Sequence, residues 1–264
     1  MNRVRSGDAE IAYWVMGDGA PVVLLHPFPA NHELMVPAAQ VLAARYRVIL
    51  PDLRAHGESE AGDGPATMEK HTADLMRILD DADVGRAVFA GVSIGGYILF
   101  EFWRRYRGRI AGLVLSDTRA QGDSAEGRAA RLKSAQDVLE RGTEVFADGM
   151  VPKLFGKTTL ASRPDLVDQA KRMMLKMSPA DVAQVQRGMA ERPDSGPTLA
   201  TINVPTLILS GEEDTLTTVA DGDFMRQRIA GSQLQVIAKA GHYAVWEQPT
   251  ETGKLLRQFV DSLH

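Results

Sequence analysis

The chain contains no cysteine, which excludes disulfide bridges and metal sites built from thiolates. It has no apolar run that approaches the length of a membrane span, and its first residues lack the apolar segment of a secretion signal. The formal net charge is only -4, which gives no reason to expect a nucleic-acid surface. We therefore expect a cytoplasmic protein without a nucleic-acid or membrane partner.

Internal repeats and low-complexity segments are also absent. Hydrophobic residues make up 44% of the chain and charged residues 24%, which is ordinary for a globular protein. The length of 264 residues is near the upper limit for a single hydrophobic core. One domain with an added element is therefore expected, as a monomer or a homodimer.

Short continuous apolar runs recur along the chain, as is typical of strands buried on both faces of a sheet. They lie at 21–26, 46–51, 87–90, 112–116 and 206–210, with further strand candidates at 11–15 and 234–237. Helix-period segments lie between them at 36–45, 67–79, 97–106 and 249–263, and Thr67 is the expected N-cap of the second. The alternation predicts an α/β fold whose mostly parallel sheet of about eight strands carries helices on both faces.

Residues 119–201 break this alternation, because they contain helical patterns and no convincing strand. Helices are predicted at 129–141, 164–177 and 179–190, the last two opening on proline. We therefore predict that 1–118 and 202–264 form the core, and that 119–201 form a helical cap over the C-terminal edge of the sheet. The methionines of this insertion are interpreted as adaptable packing, with a pliable substrate lining as the alternative.

Ser93 lies in Gly91-Val92-Ser93-Ile94-Gly95, a G-x-S-x-G motif placed between a predicted strand and a predicted helix. The sharp turn that this context requires needs neighbours without side chains, and Gly91 and Gly95 meet that need. The hydroxyl would then stand above the sheet edge, where the N-terminus of the following helix stabilises developing negative charge. Ser93 is therefore the candidate nucleophile.

A serine hydroxyl is a poor nucleophile near neutral pH and needs a base to take its proton. His242 lies just beyond the last predicted strand and before the last helix, at the sheet edge where open α/β proteins keep their chemistry. His71 lies instead within a helical pattern, and His264 is the last residue of the sequence. His242 is therefore the candidate general base.

The base needs a carboxylate that fixes its tautomer and stabilises the imidazolium. Asp214 follows the strand before His242 and is our choice for this role. Asp117 also follows a predicted strand and is the main rival, while Glu212 and Glu213 are weaker ones.

The oxyanion formed during acyl transfer needs backbone N–H donors. One is predicted to be Ile94, directly after the nucleophile, and the other lies in His26-Pro27-Phe28-Pro29, which follows a buried strand. Prolines have no N–H, so Phe28 is the predicted second donor and also a predicted substrate contact. His26 is expected to hold this loop in place by hydrogen bonds to backbone.

Taken together, these motifs resemble the α/β-hydrolase superfamily over nearly the whole chain, including the Ser…Asp…His order. The segment Asp52-Leu53-Arg54-Ala55-His56-Gly57-Glu58-Ser59 belongs to the resemblance, which implies a fold-stabilising role for Asp52 and Arg54. A serine at the turn disfavours the haloalkane dehalogenases and epoxide hydrolases of this fold, which use aspartate. The chain looks most similar to carboxylesterases and 3-oxoadipate enol-lactonases.

The resemblance implies a carboxylic ester hydrolase of the EC 3.1.1 type, an esterase or lactonase that acts on a small molecule through an acyl-enzyme, without cofactor or metal. The alternatives are a ligand-sensing protein, or a lyase or cofactor-free oxygenase of the same fold. An anionic lactone would require an arginine in the cap, although solvated helix faces explain the cap arginines equally well. Those arginines are Arg128, Arg131, Arg141, Arg163, Arg172 and Arg187. The acyl and alcohol groups of the substrate stay open.

Overall fold

The computed structural model describes residues 1–263, so His264 lies outside the described residues. Within that range the strands are β1 Asn2–Ser6, β2 Ala9–Met16, β3 Ala20–Leu25, β4 Tyr46–Pro51, β5 Ala87–Val92, β6 Ile110–Ser116, β7 Thr206–Gly211 and β8 Gln233–Ile237. They form one eight-stranded sheet in the order β1-β2-β4-β3-β5-β6-β7-β8. Strand β2 pairs antiparallel with β1 and β4, and the other pairs are parallel. The predicted mostly parallel sheet of about eight strands is confirmed.

The helices of the described range are α1 Val36–Leu42, α2 Met68–Asp81, α3 Ile94–Tyr106, α4 Ala125–Arg141, α5 Thr143–Leu154, α6 Lys157–Ser162, α7 Pro164–Met174, α8 Pro179–Ala190, α9 Gly196–Leu199, α10 Val219–Arg226, α11 Ala244–Glu247 and α12 Pro249–Asp261. Seven of them overlap the predicted helices, whereas α5, α6, α9, α10 and α11 were not predicted. Thr67 caps α2 as predicted, because its side chain accepts a hydrogen bond from the Lys70 N–H at 3.3 Å. Every helix among the described residues is too short or too polar to span a bilayer.

The sheet separates two hydrophobic clusters. In β3, Val23 and Leu25 belong to one cluster while Val22 and Leu24 belong to the other. Successive side chains of a strand point to opposite faces, so the clusters lie on the two sides of the sheet. Residues of α2 and α3 complete the first cluster, and residues of α1 and α12 complete the second. The predicted placement of helices on both faces is confirmed.

Strand β1 was not predicted, because its sequence Asn-Arg-Val-Arg-Ser carries a single apolar residue. The local sequence does not favour a strand here, and pairing with β2 stabilises it instead. In this antiparallel pairing Val4 lies opposite Ile11. Val4 is buried while Arg3 and Arg5 are exposed, which is the alternation of a strand with one wet face. Charged side chains on such an edge also discourage pairing with another chain.

Residues 119–201, all of them described, contain the helices α4 to α9 and no strand. Pro164 and Pro179 lie in the first turns of α7 and α8, where a missing N–H breaks no helical hydrogen bond. Helix α8 packs along α4 and is tied to the loop before α2, because the Ala66 N–H donates to the Gln184 carbonyl at 3.1 Å. The division into a core and a cap with these boundaries stays a prediction.

Buried polar contacts hold the loop after β4. The carboxylate of Asp52 accepts the backbone N–H groups of His32 at 2.8 Å and Glu58 at 2.7 Å. Arg54 is only 2% exposed and binds Asp74 through two hydrogen bonds of 2.7 and 3.0 Å. Both side chains therefore join this loop to neighbouring elements of the core.

His71 on α2 is buried, and neither of its ring nitrogens has a hydrogen-bond partner among the described residues. Burial, followed by electrostatic repulsion between a protonated His71 and the neighbouring His56 and Arg54, holds the pKa of His71 well below its ordinary value of 6.5. Burial also lowers the pKa of His56, and it lowers that of His26 to about 3. The folded protein thus keeps these rings neutral under conditions where the unfolded chain protonates them.

We expect acid to destabilise the protein partly through His71. Because folding lowers its pKa, its contribution is fully present above the unfolded pKa of about 6.5 and is lost as the pH falls below that value. Between about pH 7 and pH 5, His71→Leu should lose about 2 kcal/mol less of the free energy of unfolding than the wild type. Urea denaturation of both proteins at the two pH values measures this difference. Equal losses would mean that the folded state also protonates His71.

Candidate active site

Ser93 occupies the turn between β5 and α3, with φ 54° and ψ -113°, a backbone conformation that is strained for a residue with a side chain. The turn is so tight that a Cβ on Gly91 would lie 2.5 Å from the carbonyl carbon of Gly95. A Cβ on Gly95 would lie 2.9 Å from atoms of Leu25. Only glycine fits at both positions, and the Ser93 N–H is anchored to the Ser116 carbonyl at 3.0 Å.

His242 and Asp214 reach Ser93 from the loops that follow β8 and β7. The Nε2 atom of His242 lies 2.8 Å from the Oγ of Ser93, and its Nδ1 atom lies 2.8 Å from the Oδ2 of Asp214. The tautomer that suits both contacts donates from Nδ1 to the carboxylate and accepts the serine hydroxyl at Nε2. All three side chains are buried, with exposures of 9% for Ser93, 3% for His242 and 6% for Asp214. The structure thus brings together the three residues selected from the sequence.

Hydrogen bonds fix the carboxylate of Asp214. Its Oδ1 accepts the N–H groups of Leu216 at 2.8 Å and Thr217 at 3.1 Å, and its Oδ2 accepts the Thr217 hydroxyl at 2.6 Å. Burial alone would raise the pKa of Asp214, but the interaction with the His242 ring and these hydrogen bonds outweigh burial and lower it. The carboxylate therefore stays ionised and correctly aimed at the imidazole. Sequence reasoning missed Thr217, because a threonine in such a loop carries no recognisable signal.

Asp117, the rival carboxylate, lies at the end of β6 and binds other groups. It accepts the N–H of Gly211 at 2.7 Å and the hydroxyl of Ser116 at 2.8 Å. Burial and the negative charge of Asp214 raise the pKa of Asp117 well above its ordinary value. These contacts join the ends of β6 and β7.

The two glutamates before Asp214 bind elsewhere as well. Glu212 accepts the N–H of Lys239 at 3.0 Å. Glu213 accepts the N–H of Thr158 at 2.8 Å and its hydroxyl at 2.7 Å. Glu213 thereby connects the β7 loop to helix α6.

The loop after β3 carries Phe28 between two prolines. His26 holds the loop, because its Nε2 accepts the N–H of Leu53 at 2.9 Å and its Nδ1 donates to the Pro27 carbonyl at 2.9 Å. Phe28 is 5% exposed and lines the same cavity as the nucleophile candidate. Ile94 begins α3, and the first N–H of a helix has no intrahelical partner. The roles of Phe28 and Ile94 as oxyanion donors stay predictions.

A cavity of about 290 Å³ opens over Ser93 and His242. Its other lining residues come mainly from the loop after β3, the elements α3, α4, α5 and α8, and the loop after β7. They are Phe28, Tyr97, Arg119, Ala130, Arg131, Ser134, Met150, Lys153, Leu154, Gln186, Met189, Leu216 and Thr217. Among residues 1–263 no group of three or more His, Asp or Glu side chains is placed to hold a metal ion.

The methionines of the insertion divide between the two roles considered from the sequence. Met150 and Met189 line the cavity. Met173, Met174 and Met177 are buried in the two hydrophobic clusters. Packing and lining are therefore both present, on different residues.

The charged side chains that line the cavity are Arg119, Arg131 and Lys153, and all are cationic. Behind them the carboxylate of Asp123 binds Arg131 at 2.5 Å, Arg192 at 2.6 Å and Arg119 at 3.1 Å. Burial would raise the pKa of Asp123, but hydrogen bonds from Arg192 and Arg131 lower it to about 2. Three guanidinium groups around one carboxylate leave an excess of positive charge on this wall. In addition, the Nε of Arg119 is buried without a partner among the described residues.

Of the six cap arginines considered from the sequence, Arg131 lines this cavity. Arg119 and Asp123 were not singled out, since isolated charged residues in a helical stretch are most often solvated. The nearest sequence signal was the start of the strand-free stretch at Arg119, directly after the strand end that carries Asp117.

A family model described as alpha/beta hydrolase fold matches residues 20–249. The curated 3-oxoadipate enol-lactonase 2 of Acinetobacter baylyi is 30% identical over 209 residues, which cover 78% of this chain and 75% of that protein. The 3-oxoadipate enol-lactonase 1 of the same organism is 27% identical over 247 residues, covering 93% and 91%.

Two solved structures extend the similarity to three dimensions. A thermophilic esterase from Thermogutta terrifontis, solved with malate bound, is 36% identical at a TM-score of 0.96, with 100% of this chain and 98% of that chain covered. The enol-lactonase from Burkholderia xenovorans LB400 is 26% identical at a TM-score of 0.91, with coverage of 98% and 100%. The likeness thus spans the helices of residues 119–201 as well as the sheet.

Proposed function

The chain belongs to the α/β-hydrolase family, and from that premise we propose that it is a serine hydrolase that cleaves a small carboxylic ester or lactone. The observation that carries the proposal is the continuous hydrogen-bonded path from Asp214 through His242 to Ser93, which ends in a cavity. Similarity to esterases and enol-lactonases supports the same reaction class.

In the acylation step, the Oγ of Ser93 attacks the carbonyl carbon of the substrate while Nε2 of His242 takes the hydroxyl proton. A C–O bond forms, and the carbonyl π electrons move to oxygen to give a tetrahedral oxyanion. When the oxyanion collapses, the bond to the alcohol oxygen breaks and His242 gives its proton to that oxygen. The acyl group is then an ester of Ser93, and Asp214 has held the imidazole in one tautomer throughout.

Deacylation repeats these transfers with water as the nucleophile. His242 takes a proton from the water as it attacks the acyl carbon, and it returns that proton to the Oγ of Ser93 as the ester bond breaks. The carboxylic acid leaves and the free serine is restored. With a lactone, the alcohol released in the first step remains attached to the acyl chain, so the product is a single hydroxy or oxo acid.

The oxyanion of both steps is assigned to the N–H groups of Phe28 and Ile94. Each donor aimed at developing charge typically contributes about 3 kcal/mol to transition-state stabilisation. The rigid proline-flanked loop and the start of α3 hold these donors in place before substrate arrives, so no reorganisation is required during the reaction.

A panel of p-nitrophenyl esters and small lactones tests the reaction class. We expect the wild type to hydrolyse a short neutral ester such as p-nitrophenyl acetate, and the release of nitrophenolate measures the rate. If the wild type hydrolysed no ester and no lactone of the panel, the proposal would be overturned.

The cationic wall of the cavity favours a substrate that carries a carboxylate in addition to the scissile ester. Arg119, Arg131 and Lys153 supply positive charge there, and their side chains carry N–H donors that suit a carboxylate. Hydrogen bonds to a carboxylate are roughly twice as strong as those between neutral groups. Malate, which is bound to the Thermogutta esterase, is itself a dicarboxylate.

We expect Arg119→Gln to separate anionic from neutral substrates. Loss of one charged hydrogen bond should lower kcat/KM for p-nitrophenyl hemisuccinate by about 10- to 100-fold. The uncharged p-nitrophenyl butyrate should change by less than about threefold, because Asp123 keeps Arg131 and Arg192 as partners. Arg128→Gln, an exposed position on α4 outside the cavity, is the control and should change neither. An equal loss on both esters would assign Arg119 a structural role.

A further inference from the structure

A second cavity of about 270 Å³ lies between helices α4 and α5. We call it the α4–α5 cleft and define it by its lining residues. They are Ala130, Lys133, Ser134, Asp137, Val138, Arg141, Gly142, Val145, Phe146, Gly149, Met150 and Lys153. Along each helix these positions recur every three or four residues, so the cleft is the gap between two facing stripes.

The cleft stays open because Gly149 presents no side chain to it. A Cβ built on Gly149 would meet no atom within 4 Å. On the opposite side, Lys133 and Asp137 pair with each other at 2.6 Å instead of crossing the gap. The walls are apolar where the helices face each other, through Val138 and Val145.

The α4–α5 cleft adjoins the cavity over Ser93. Both are lined by Ala130, Ser134, Met150 and Lys153. The walls are also in contact, because the Phe146 ring of the cleft packs on the Phe28 ring of the catalytic cavity, with centroids 5.7 Å apart. The side chains of these shared residues, the flexible Met150 among them, are therefore what separates a substrate at Ser93 from the cleft.

We infer that the α4–α5 cleft is a second substrate subsite, which takes an apolar chain carried by the ester. The inference rests on the proposed function and names the part of the substrate that this chain's own cap would recognise. Lys133, Asp137, Arg141 and Lys153 also line the cleft, but its apolar side chains Val138, Val145, Phe146 and Met150 favour an alkyl chain. Each methylene removed from water contributes a factor of roughly four to binding. The wall that the cleft shares with the cavity over Ser93 argues for a substrate group as the occupant, and not for a separate ligand.

Two series of esters identify which half of the substrate carries the chain. One lengthens the acyl group from acetate to hexanoate with p-nitrophenol fixed, and the other lengthens the alcohol from ethyl to hexyl with acetate fixed. For the wild type we expect kcat/KM to rise at least about tenfold along one series, which then assigns the acyl or the alcohol side.

Gly149→Phe should fill the cleft and remove most of that rise. Its kcat/KM for p-nitrophenyl acetate should stay within about threefold of wild type, because the catalytic cavity is untouched. Gly149→Ala is the matched control, which adds one methyl in open space and should follow the wild-type profile. Val145→Trp, one turn earlier on α5 and 43% exposed in the wild type, narrows the same gap and keeps the test decisive if the phenylalanine variant misfolds.

The proposed subsite would be wrong if kcat/KM of the wild type did not rise with chain length in either series. It would also be wrong if Gly149→Phe and Val145→Trp showed the same rise as the wild type. A different result, in which the wild type hydrolyses no ester of either series and no ester or lactone of the panel, would overturn the proposed function itself. Hydrolysis of at least one ester without any dependence on chain length would overturn the subsite alone.

Discussion

Ser93→Ala is expected to lower kcat/KM for p-nitrophenyl acetate by about 10⁴-fold or more. The activity that remains would come from substrate binding and the oxyanion donors. The reason is that no other group within the cavity takes the place of the Oγ that lies 2.8 Å from Nε2 of His242. Initial rates of nitrophenolate release, with unchanged far-ultraviolet circular dichroism, measure the effect.

Ser134→Ala is the matched control for that variant. Its hydroxyl lines the same cavity, so its loss should change the rate by no more than about threefold. If Ser93→Ala kept the activity of the wild type while His242→Ala lost it, the reaction would use His242 as a base without a serine nucleophile. The acyl-enzyme route would then be wrong.

Asp214→Asn should lower kcat by about 10³- to 10⁴-fold. An amide at this position no longer stabilises the imidazolium, and its nitrogen, placed towards Nδ1, would favour the wrong tautomer of His242. The three hydrogen bonds that hold the side chain from Leu216 and Thr217 show how closely its orientation is controlled. Steady-state kinetics on p-nitrophenyl acetate measure the loss.

Asp117→Asn is the control that decides between the two carboxylates. Asparagine resembles the protonated form that the raised pKa of Asp117 favours, and its oxygen can still accept the Gly211 N–H. We therefore expect less than about tenfold loss of kcat. The opposite ranking, with Asp117→Asn the more damaging variant, would move the orienting role to Asp117.

The catalytic candidates could be selected from the sequence because each one follows a recognisable strand. Ser93 and Asp214 come after buried apolar runs, whereas His242 lies in the loop beyond the more exposed β8. The carboxyl ends of these parallel strands meet at one edge of the sheet. Each candidate was recognised from the sequence beside it, and the parallel order of the strands brings the three together. Their separation along the chain did not affect the prediction.

The group of arginines around Asp123 could not be predicted in the same way. Asp123 and Arg131 lie at the start of the insertion, whereas Arg192 follows α8, and packing of α8 along α4 brings them together. Helical periodicity tells which face of a helix is apolar but not which partner covers it. Strand β1 was missed for a related reason, since pairing with β2 forms it and its own apolar pattern does not.

The cap interior was the least predictable part. Helix α5, which carries the cleft residues Val145, Gly149 and Met150, was not predicted from the sequence. Gly149 and the internal Pro152 lower its helix propensity, so local preference argued against the helix that packing against its neighbours stabilises. The proposed substrate subsite therefore consists of residues that carry the weakest sequence signals.

The most direct test of the account is to look for the acyl-enzyme during turnover. Wild-type protein mixed with p-nitrophenyl acetate, quenched in acid within the first turnovers and digested, should yield one acetylated peptide with the acetyl group on Ser93. The acetyl group should form at least as fast as steady-state turnover. Hydrolysis at the full rate with no acetyl group on Ser93 would contradict the account.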